Sequence, residues 1–397
     1  MASDVDRRGR RTGRLVRVLE PAPDRVDPAC ERAGTCPGCS LRHLSDGARR
    51  AYEAEAHAAT LARLTGARIP LPEVHAPTPR DGYRARAVAR ALPGEGGRLT
   101  LGLVARFGAS PVPLAACPVQ SPATRALLVE VEAALNARGV RAFDPDTGHG
   151  LLRHVVVEAA GPVARVVLVT ATPTDSLDDL LAERPGRGVF VDCVPPRRFD
   201  TLRAPRHLHG PVAATFTVDD DVFAATMPAW LPQTPASLSS LRAAVLDLLA
   251  PGPGDTVLEL GCGAGTLSLP LARRARALVG VDLERAAVID AQHNAAAAGV
   301  TNATFRVGHA DRALRRLLAG GLRADAVVVH AMRRPYGPAV MGPLRATAPR
   351  VVLCIGPSPA ALARDLATAP WLTLDRLAFV DQMPGTAALL TLALCRA

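Results

Sequence analysis

Lysine is absent from this 397-residue chain, so all 47 of its basic residues are arginine, against 37 acidic residues. A guanidinium group binds phosphate through a fixed, bidentate fork and stacks on bases, so a basic surface made only of arginine suits nucleic acid. A GC-rich genome that replaces lysine by arginine everywhere would give the same bias, and this alternative stays open. Aromatic residues make up only 3% of the chain, so any base-stacking surface has to be small.

Long apolar runs are also missing. Residues 1–20 are polar and rich in arginine and have no apolar centre of the kind a signal peptide needs. No uninterrupted apolar run has the length of a membrane span. We therefore expect a cytoplasmic protein with no membrane partner, in a reducing compartment where clustered cysteines hold metal more often than they form disulfides.

Four of the eight cysteines form a distinctive pattern. Three of them follow the spacing C-x5-C-x2-C, and the fourth stands in Ala115–Pro118. Thiolates are soft ligands, and a clustered triple with one distant partner suits an iron–sulfur cluster. Zinc is the alternative, although zinc sites usually pair two closely spaced C-x2-C units. The candidate ligands are Cys30, Cys36, Cys39 and Cys117.

Changes of pattern along the chain divide it into four segments. The first combines an arginine-rich arm with the cysteine loop, and the second is a helix that we expect to begin after Ser45 and to close at Gly66. The third holds short β-type runs between glycines and prolines, with one or two helices such as 122–138. The predicted boundaries are 1–45, 46–78, 79–225 and 226–397.

The fourth segment alternates helices with apolar strands, which is typical of a doubly wound α/β sheet. A closing antiparallel pair is expected at its end. The predicted fold class is therefore α/β, with a C-terminal Rossmann-like domain behind a mostly β central domain. The predicted strands are 256–260, 277–282, 304–307, 326–329, 351–355, 373–380 and 388–394.

A glycine-rich loop, Glu259–Thr266, joins the first of these strands to a helix. Glycine lets the backbone approach a ligand closely at a helix N-terminus. Asp282 ends the second strand, where a carboxylate can accept hydrogen bonds from both hydroxyls of a ribose, and Asp311 follows the third strand at a place suited to an adenine amino group. The E-x-G-x-G-x-G form indicates S-adenosylmethionine rather than a dinucleotide, and a glycine turn without a ligand is the alternative. The candidate cofactor residues are Glu259, Gly261, Gly263, Gly265, Asp282 and Asp311.

With these motifs in place, nearly the whole chain resembles the iron–sulfur branch of the uracil-C5 (5-methyluridine) RNA methyltransferase family. The matching pieces are the cysteine triple with Gly38-Cys39-Ser40, Tyr83–Arg86, Leu152–Val156, the glycine loop, Gln292–Ala295 and Pro359–Asp365. The resemblance implies a class I methyltransferase domain, S-adenosylmethionine as cofactor, and a [4Fe-4S] cluster with a structural role. It also implies ribosomal or transfer RNA as the partner.

The resemblance assigns further roles to single residues. Gln233 corresponds, with a displacement, to a cofactor-side glutamine of the family. The residues matched to RNA contacts are Arg84, Arg86, Arg153, His154 and Arg333. An ordinary solvated face is the alternative for these arginines.

The family's reaction is covalent. A cysteine attacks C6 of a flipped-out uracil, and a glutamate later removes the C5 proton. In this chain Pro357 stands at the cysteine's position and Leu390 at the glutamate's, so the chain is expected to be a divergent member without either group. His330, at a strand end, and Cys354, on the strand before Pro357, are the remaining candidates, although buried strand cysteines are usually inert.

These observations predict a monomeric S-adenosylmethionine-dependent methyltransferase with altered acceptor chemistry. An acceptor that is already nucleophilic needs neither a catalytic cysteine nor a base. RNA is the expected acceptor. The alternatives are a small-molecule acceptor and a catalytically silent RNA-binding or regulatory homologue.

Overall fold

The computed structural model describes most of the chain. The described residues are 2–5, 11–67, 70–72, 74–75, 79–106, 111–194, 205–227, 229, 234–331 and 335–397.

The N-terminal segment contains a hairpin, one long helix and a short strand. These elements are β1 (Ala2–Val5), β2 (Arg11–Arg14), α1 (Asp46–Thr65) and β3 (Val74–His75). The hydroxyl of Ser45 accepts a hydrogen bond from the N–H of Ala48, and Gly66 ends the helix in the left-handed conformation. Both ends of α1 are therefore where the sequence predicts them. None of the described helices combines the length and the apolarity that a bilayer span requires.

The central domain is a mixed sheet covered by one helix. Its strands follow the order β10-β9-β8-β7-β4-β5-β6, and only the β8–β9 pair is parallel. Helix α2 buries its apolar side against this sheet, so these elements form a mostly β unit. The elements are β4 (Arg86–Pro93), β5 (Leu99–Leu103), β6 (Val112–Pro113), α2 (Pro122–Ala137), β7 (Leu152–Glu158), β8 (Ala164–Thr170), β9 (Arg187–Cys193) and β10 (Arg206–His209).

The C-terminal domain is built on a sheet with the order β15-β14-β13-β16-β17-β19-β18-β3. Strands β13 to β17 are parallel to one another, and β19 is antiparallel to both of its neighbours. The elements are β11 (Ala213–Val218), β12 (Asp221–Thr226), α3 (Pro235–Leu249), β13 (Thr256–Leu260), α4 (Ser268–Ala272), β14 (Ala277–Asp282), α5 (Arg285–Ala297), β15 (Ala303–Val307), α6 (Ala310–Ala319), β16 (Ala326–His330), α7 (Pro338–Met341), β17 (Val351–Gly356), α8 (Pro359–Leu366), β18 (Thr373–Asp381) and β19 (Leu389–Arg396).

Helices cover both faces of this sheet, which confirms the doubly wound prediction. Val257 and Leu353 pack on one face with α3, α4 and α5. Leu258 and Cys354 pack on the other with α1, α6, α7 and α8. Because both faces are buried, the strands are apolar on both sides, and this is why they read as continuous apolar runs in the sequence.

Two segments pack differently from the predicted division of the chain. The β11–β12 hairpin, on the central side of the boundary at 225, buries Phe216 and Phe223 against α3 and α5 in the core of the C-terminal domain. Helix α1 and strand β3, predicted as a connector, pack against α8 and extend the C-terminal sheet. Both segments therefore bury apolar side chains in the cores of the C-terminal domain.

Candidate functional site

The glycine loop lies at the carboxyl edge of the parallel strands, directly after β13. The N–H of Gly261 donates to the carbonyl of Val281 at 2.8 Å, which fixes the loop against β14. Gly263 has a φ of +53°, and a Cβ placed on it would meet no atom within 4 Å. The loop therefore combines a fixed base with open space above one glycine, as a loop that approaches a ligand through its backbone requires.

Asp282 stands at the end of β14, beside this open space. One carboxylate oxygen accepts from the N–H of Gly263 at 2.8 Å, and the other accepts from the N–H of Glu284 at 2.9 Å. Each oxygen of an ionised carboxylate has a second lone pair. Asp282 can therefore hold the loop and accept from two ligand hydroxyls at the same time.

Glu259 lies beneath the loop and is 1% exposed. The hydroxyl of Ser268 donates to its Oε2 at 2.5 Å, while Oε1 is buried without a hydrogen-bond partner in the described part of the chain. Burial raises the pKa of Glu259 to about 7. The unpartnered oxygen is an acceptor that a bound cofactor can satisfy, so the loop, Asp282 and Glu259 together fit the predicted cofactor.

The other predicted cofactor residues differ in what surrounds them. Asp311 lies in the first turn of α6, where Arg315 donates to its carboxylate at 2.6 Å. This ion pair is partly exposed, and a ligand can compete for the carboxylate. Gln233 and Arg333 lie outside the described residues.

The positions predicted for the nucleophile and the base are close together. Strands β17 and β19 pair antiparallel, with Gly356 opposite Thr391. Pro357 and Leu390 are the neighbours of this last pair along each strand, at the carboxyl edge that also carries the glycine loop. Pro357 is exposed and Leu390 is buried. Neither side chain can act as a nucleophile or as a base, so this edge has no acid–base group at either position.

Cys354 lies inside the sheet, 1% exposed, on the face covered by α8. A hydrogen bond with Cys395, together with burial, raises the pKa of Cys354 well above its usual value. The thiol is therefore protonated and shielded at neutral pH, which is the state of an inert core cysteine.

His330 ends β16 beside the glycine loop. A Cβ on Gly261 would lie 2.5 Å from the His330 carbonyl oxygen, so the two backbones are in direct contact. The Nε2 atom of His330 is buried and has no hydrogen-bond partner among the described residues. Burial lowers the pKa of the imidazole to about 4, so the ring is neutral at pH 7. It can donate or accept one hydrogen bond at the acceptor side of the site.

The four predicted cysteine ligands come into one neighbourhood. Burial raises the pKa of Cys39 and of Cys117, and the charges of Cys36 and Cys30 raise that of Cys117 further. The sulfur of Cys36 accepts from the N–H of Gly38 at 3.4 Å. Within the described ranges, however, no three Cys, His, Asp or Glu side chains are arranged as a metal site. The structure therefore gathers the thiols without showing a ligand cage.

The predicted RNA contacts are partly engaged within the protein. Arg86 donates to buried Glu158 at 3.0 Å, and Arg153 donates to the carbonyl of Val194 at 2.7 Å. Arg84 contacts the sulfur of Met383, next to the β18–β19 turn. His154 pairs with β4 in the central sheet and has partners of its own. These side chains are therefore already partly matched by partners within the protein.

One buried charge cluster was not predicted from the sequence. Arg49 of α1 donates to Glu53 at 2.7 Å and to Asp381 of β18 at 2.5 Å, and all three side chains are 1–2% exposed. The spacing of Arg49 and Glu53 by one helical turn was the available signal. The third member is 332 residues away from Arg49 and carries no local signal.

Comparison with known proteins agrees with this geometry. Residues 251–355 match the family model described as "Methyltransferase domain". An uncharacterized RNA methyltransferase of Halalkalibacterium halodurans is 28% identical over 370 residues, which covers 89% of this chain and 79% of that protein. One of Lactiplantibacillus plantarum is 28% identical over 388 residues, covering 93% and 79%.

One solved structure resembles the entire chain. It is the tRNA (uracil-54, C5)-methyltransferase of Pyrococcus abyssi in complex with S-adenosyl-L-homocysteine, with a TM-score of 0.76 and 19% identity. The match covers 100% of this chain and 92% of that one. Residues 251–355 thus match a methyltransferase domain, and the fold of the whole chain resembles that of this solved structure. The chain is also similar in sequence to proteins named as RNA methyltransferases.

Proposed function

We propose that this protein methylates RNA from S-adenosylmethionine by direct transfer, without a covalent enzyme–base intermediate. The proposal rests on the acceptor edge, where the resemblance assigns the nucleophile and base positions to Pro357 and Leu390, and neither of these side chains can fill those roles. On the cofactor side, by contrast, all the predicted residues within the described part of the chain are present. A site that keeps its methyl donor and lacks a nucleophile requires an acceptor that is nucleophilic by itself.

The cofactor would be held by the residues of the glycine loop. Asp282 accepts from the ribose hydroxyls, the backbone around Gly263 approaches the ligand, and the free oxygen of Glu259 accepts from a polar group of the cofactor. When bound, S-adenosylmethionine supplies an electrophilic methyl group. The chain's own task is to align an acceptor with that methyl group and to exclude water.

The acceptor atom is then an amine, a hydroxyl or an activated carbon. His330 lies beside the glycine loop, because its backbone carbonyl touches Gly261. A neutral imidazole with a free Nε2 can accept a proton from an attacking amine or orient it by a hydrogen bond. Its low pKa makes it a weak base, which suits orientation better than proton removal.

RNA is the acceptor that the remaining observations favour. The net charge is +10, and every basic residue behind it is an arginine. The names of the relatives refer to RNA. Arg84 lies beside the turn that leads into the acceptor edge. A duplex or loop bound along β4 and β7 would bring a base to this edge.

The cysteine loop would hold the [4Fe-4S] cluster that the spacing predicts. All four donors are thiols, and backbone N–H groups point at the sulfurs of Cys36 and Cys117. Such N–H···S contacts are usual around iron–sulfur clusters. The loop hydrogen-bonds to the central domain, where the N–H of Arg106 donates to Thr35, and to the β18–β19 turn. The cluster would therefore stabilise the junction of both domains.

The test is transfer of a labelled methyl group to total RNA and, separately, to a small-molecule extract, followed by nucleoside analysis. We expect label in RNA, in a nucleoside other than 5-methyluridine. Asp282→Ala should abolish transfer and Cys354→Ser should leave it unchanged. Label only in the small-molecule fraction would overturn the RNA assignment. Loss of 5-methyluridine formation in Cys354→Ser would overturn the non-covalent route, and no transfer to either fraction would favour a silent homologue.

A further inference from the structure

Ala264 occupies a flexible point of the glycine loop. Its two neighbours, Gly263 and Gly265, have φ angles of +53° and +85°. Glycine adopts many backbone conformations at little cost, so a residue between two glycines changes orientation easily unless something fixes it. Asp282 holds the N–H of Gly263 from one side at 2.8 Å. The loop needs a second partner, at Ala264 itself, if it is to keep one shape.

Asn294 of α5 supplies that partner. Its Nδ2 donates to the carbonyl of Ala264 at 3.0 Å and to the carbonyl of Ala224, in β12, also at 3.0 Å. Its Oδ1 accepts from the N–H of Ala224 at 2.9 Å. The residue is 3% exposed, and both hydrogens of its amide are used. One buried amide therefore joins the glycine loop to β12.

The helix that carries Asn294 contacts both elements at further points. Asp290, one turn earlier, accepts from the N–H of Thr226 at 2.7 Å and from its hydroxyl at 2.8 Å. A Cβ on Gly265 would lie 3.4 Å from the Cβ of Ala291. Residues three and four apart lie on the same side of a helix, so one side of α5 contacts both the loop and β12.

Strand β12 is also bonded to the central domain. Arg165 of β8, which is fully buried, donates to the carbonyl of Ala225 at 2.7 Å and to Glu158 at 2.8 Å. Ala225 lies between the two residues of β12 that α5 holds. The strand is therefore fixed by two domains, and Asn294 ties the Ala264 carbonyl to it.

We infer that Asn294 is a positioning residue for S-adenosylmethionine, because it holds the Ala264 peptide in the one conformation that the cofactor meets. The inference rests on the cofactor site of the proposed function and adds a buried residue that the glycine pattern does not include. A loop that already has its bound shape loses less conformational freedom when a ligand binds. Loss of the contact should therefore weaken binding although every group that touches the ligand is still present.

The experiment measures binding of S-adenosylhomocysteine to the full chain by calorimetry, and amide hydrogen exchange in the protein without ligand. Asn294→Ala should raise the Kd about tenfold, as expected for the loss of one or two hydrogen bonds. It should also speed up exchange at the amide of Gly265, which donates to the carbonyl of Cys262 at 3.0 Å and closes the loop.

Asn302→Ala is the matched control. The side-chain amide of Asn302 donates to three backbone carbonyls at and after the end of α4, in the same domain. Its removal should lower stability and leave both the Kd and the exchange at Gly265 unchanged. A Kd that rises equally in both variants would mean that affinity simply follows stability, which contradicts the positioning role.

The other outcomes separate this inference from the cofactor site itself. Wild-type protein that binds no S-adenosylhomocysteine overturns the cofactor site and the inference with it. Equal Kd values in wild type and Asn294→Ala overturn only the inference. If Asn294→Ala does not fold, Asn294→Ser, which keeps a polar group in the same place, is measured with the same expectations. If neither variant folds while Asn302→Ala does, Asn294 is a core residue and the positioning role is wrong.

Discussion

At the scale of single residues, the buried cluster of Arg49, Glu53 and Asp381 is unusual because one guanidinium serves two carboxylates. Burial raises the pKa of Glu53 to about 7, and the charge of Asp381 adds to this rise, while Arg49 opposes it. Since the folded pKa exceeds the ordinary value of 4.5, the folded protein holds a proton that the unfolded chain releases between these two values. The stabilising contribution is complete below pH 4.5 and is lost as the pH rises through about 7.

We expect Glu53→Gln to flatten the dependence of stability on pH. The amide imitates the protonated acid, so the variant should lose about 2–3 kcal/mol less stability than the wild type between pH 5 and pH 8. Urea denaturation at both pH values measures the difference. Glu55→Gln alters an exposed carboxyl in the same helix and should keep the slope of the wild type. Equal slopes in wild type and Glu53→Gln would contradict this account.

At the scale of elements, the β11–β12 hairpin is fastened to the methyltransferase domain by Asp221. Arg242 of α3 donates to Asp221 Oδ2 at 2.6 Å, and Arg273 donates to Oδ1 at 2.5 Å. Arg242 also donates to the carbonyl of Val218 at 2.8 Å, so it holds both strands of the hairpin. The bond from Arg273, followed by those from Arg242, lowers the pKa of Asp221.

Asp221→Asn should therefore destabilise the protein by about 2 kcal/mol at pH 7, because the buried Arg242 loses its buried carboxylate partner and keeps only the half-exposed Asp219. A lowered pKa contributes stability above the ordinary value of 3.8, and this is lost as the pH falls. The penalty should accordingly shrink in acid. Asp220→Asn, at the exposed neighbouring position, is the control for urea denaturation. A similar loss in both variants would show that the ion pairs do not hold the hairpin.

Most elements could be predicted from the sequence, and the exceptions have a physical cause. Strand β13 has the predicted ends because a short apolar run is bounded by Asp255 and Gly261. The alternating run at 15–19 predicts a strand, but Leu15 and Leu19 are 60% and 75% exposed and no strand forms there. Alternation predicts a strand only where another element covers one face. The β11–β12 hairpin shows the same limit, since the surface that buries it lies in a later part of the chain.

The candidate site also combines features that could be predicted from the sequence with features that could not. The glycine loop and Asp282 were predictable because their roles depend on local backbone geometry. The surroundings of His330 were not, because they depend on β13 and β16 lying side by side. The burial of Arg42 was not predictable either, because nothing in its own sequence neighbourhood indicates that a residue so close to Cys39 is buried.

At the scale of the whole molecule, the β18–β19 turn is where distant segments meet. The carbonyl of Gly385 accepts from Leu41, and the carbonyl of Pro384 accepts from the hydroxyl of Tyr83 at 3.1 Å. Gly385 has a φ of +86°, and a side chain on it would press against Arg42. The cysteine loop and the central domain are thus both attached to one turn of the methyltransferase domain.

Gly385→Ala should loosen this junction. The left-handed backbone alone costs an alanine about 1 kcal/mol, and the close contact with Arg42 adds to that cost. Gly299→Ala is the matched control, because Gly299 has a φ of +68° and no atom within 4 Å of its Cβ position. Hydrogen exchange should speed up at the amide of Leu41 in Gly385→Ala and stay unchanged in Gly299→Ala. Unchanged exchange in both would mean that the turn does not hold the loop.

The contact between Leu41 and Gly385 also sets an order of events on the ribosome. The chain is made from its N-terminus, so the cysteine loop emerges long before the turn that receives it. Helix α1 likewise precedes its partner Asp381, and β3 precedes β18. The cysteines therefore lack their final surroundings until the β18–β19 turn has emerged and folded against them.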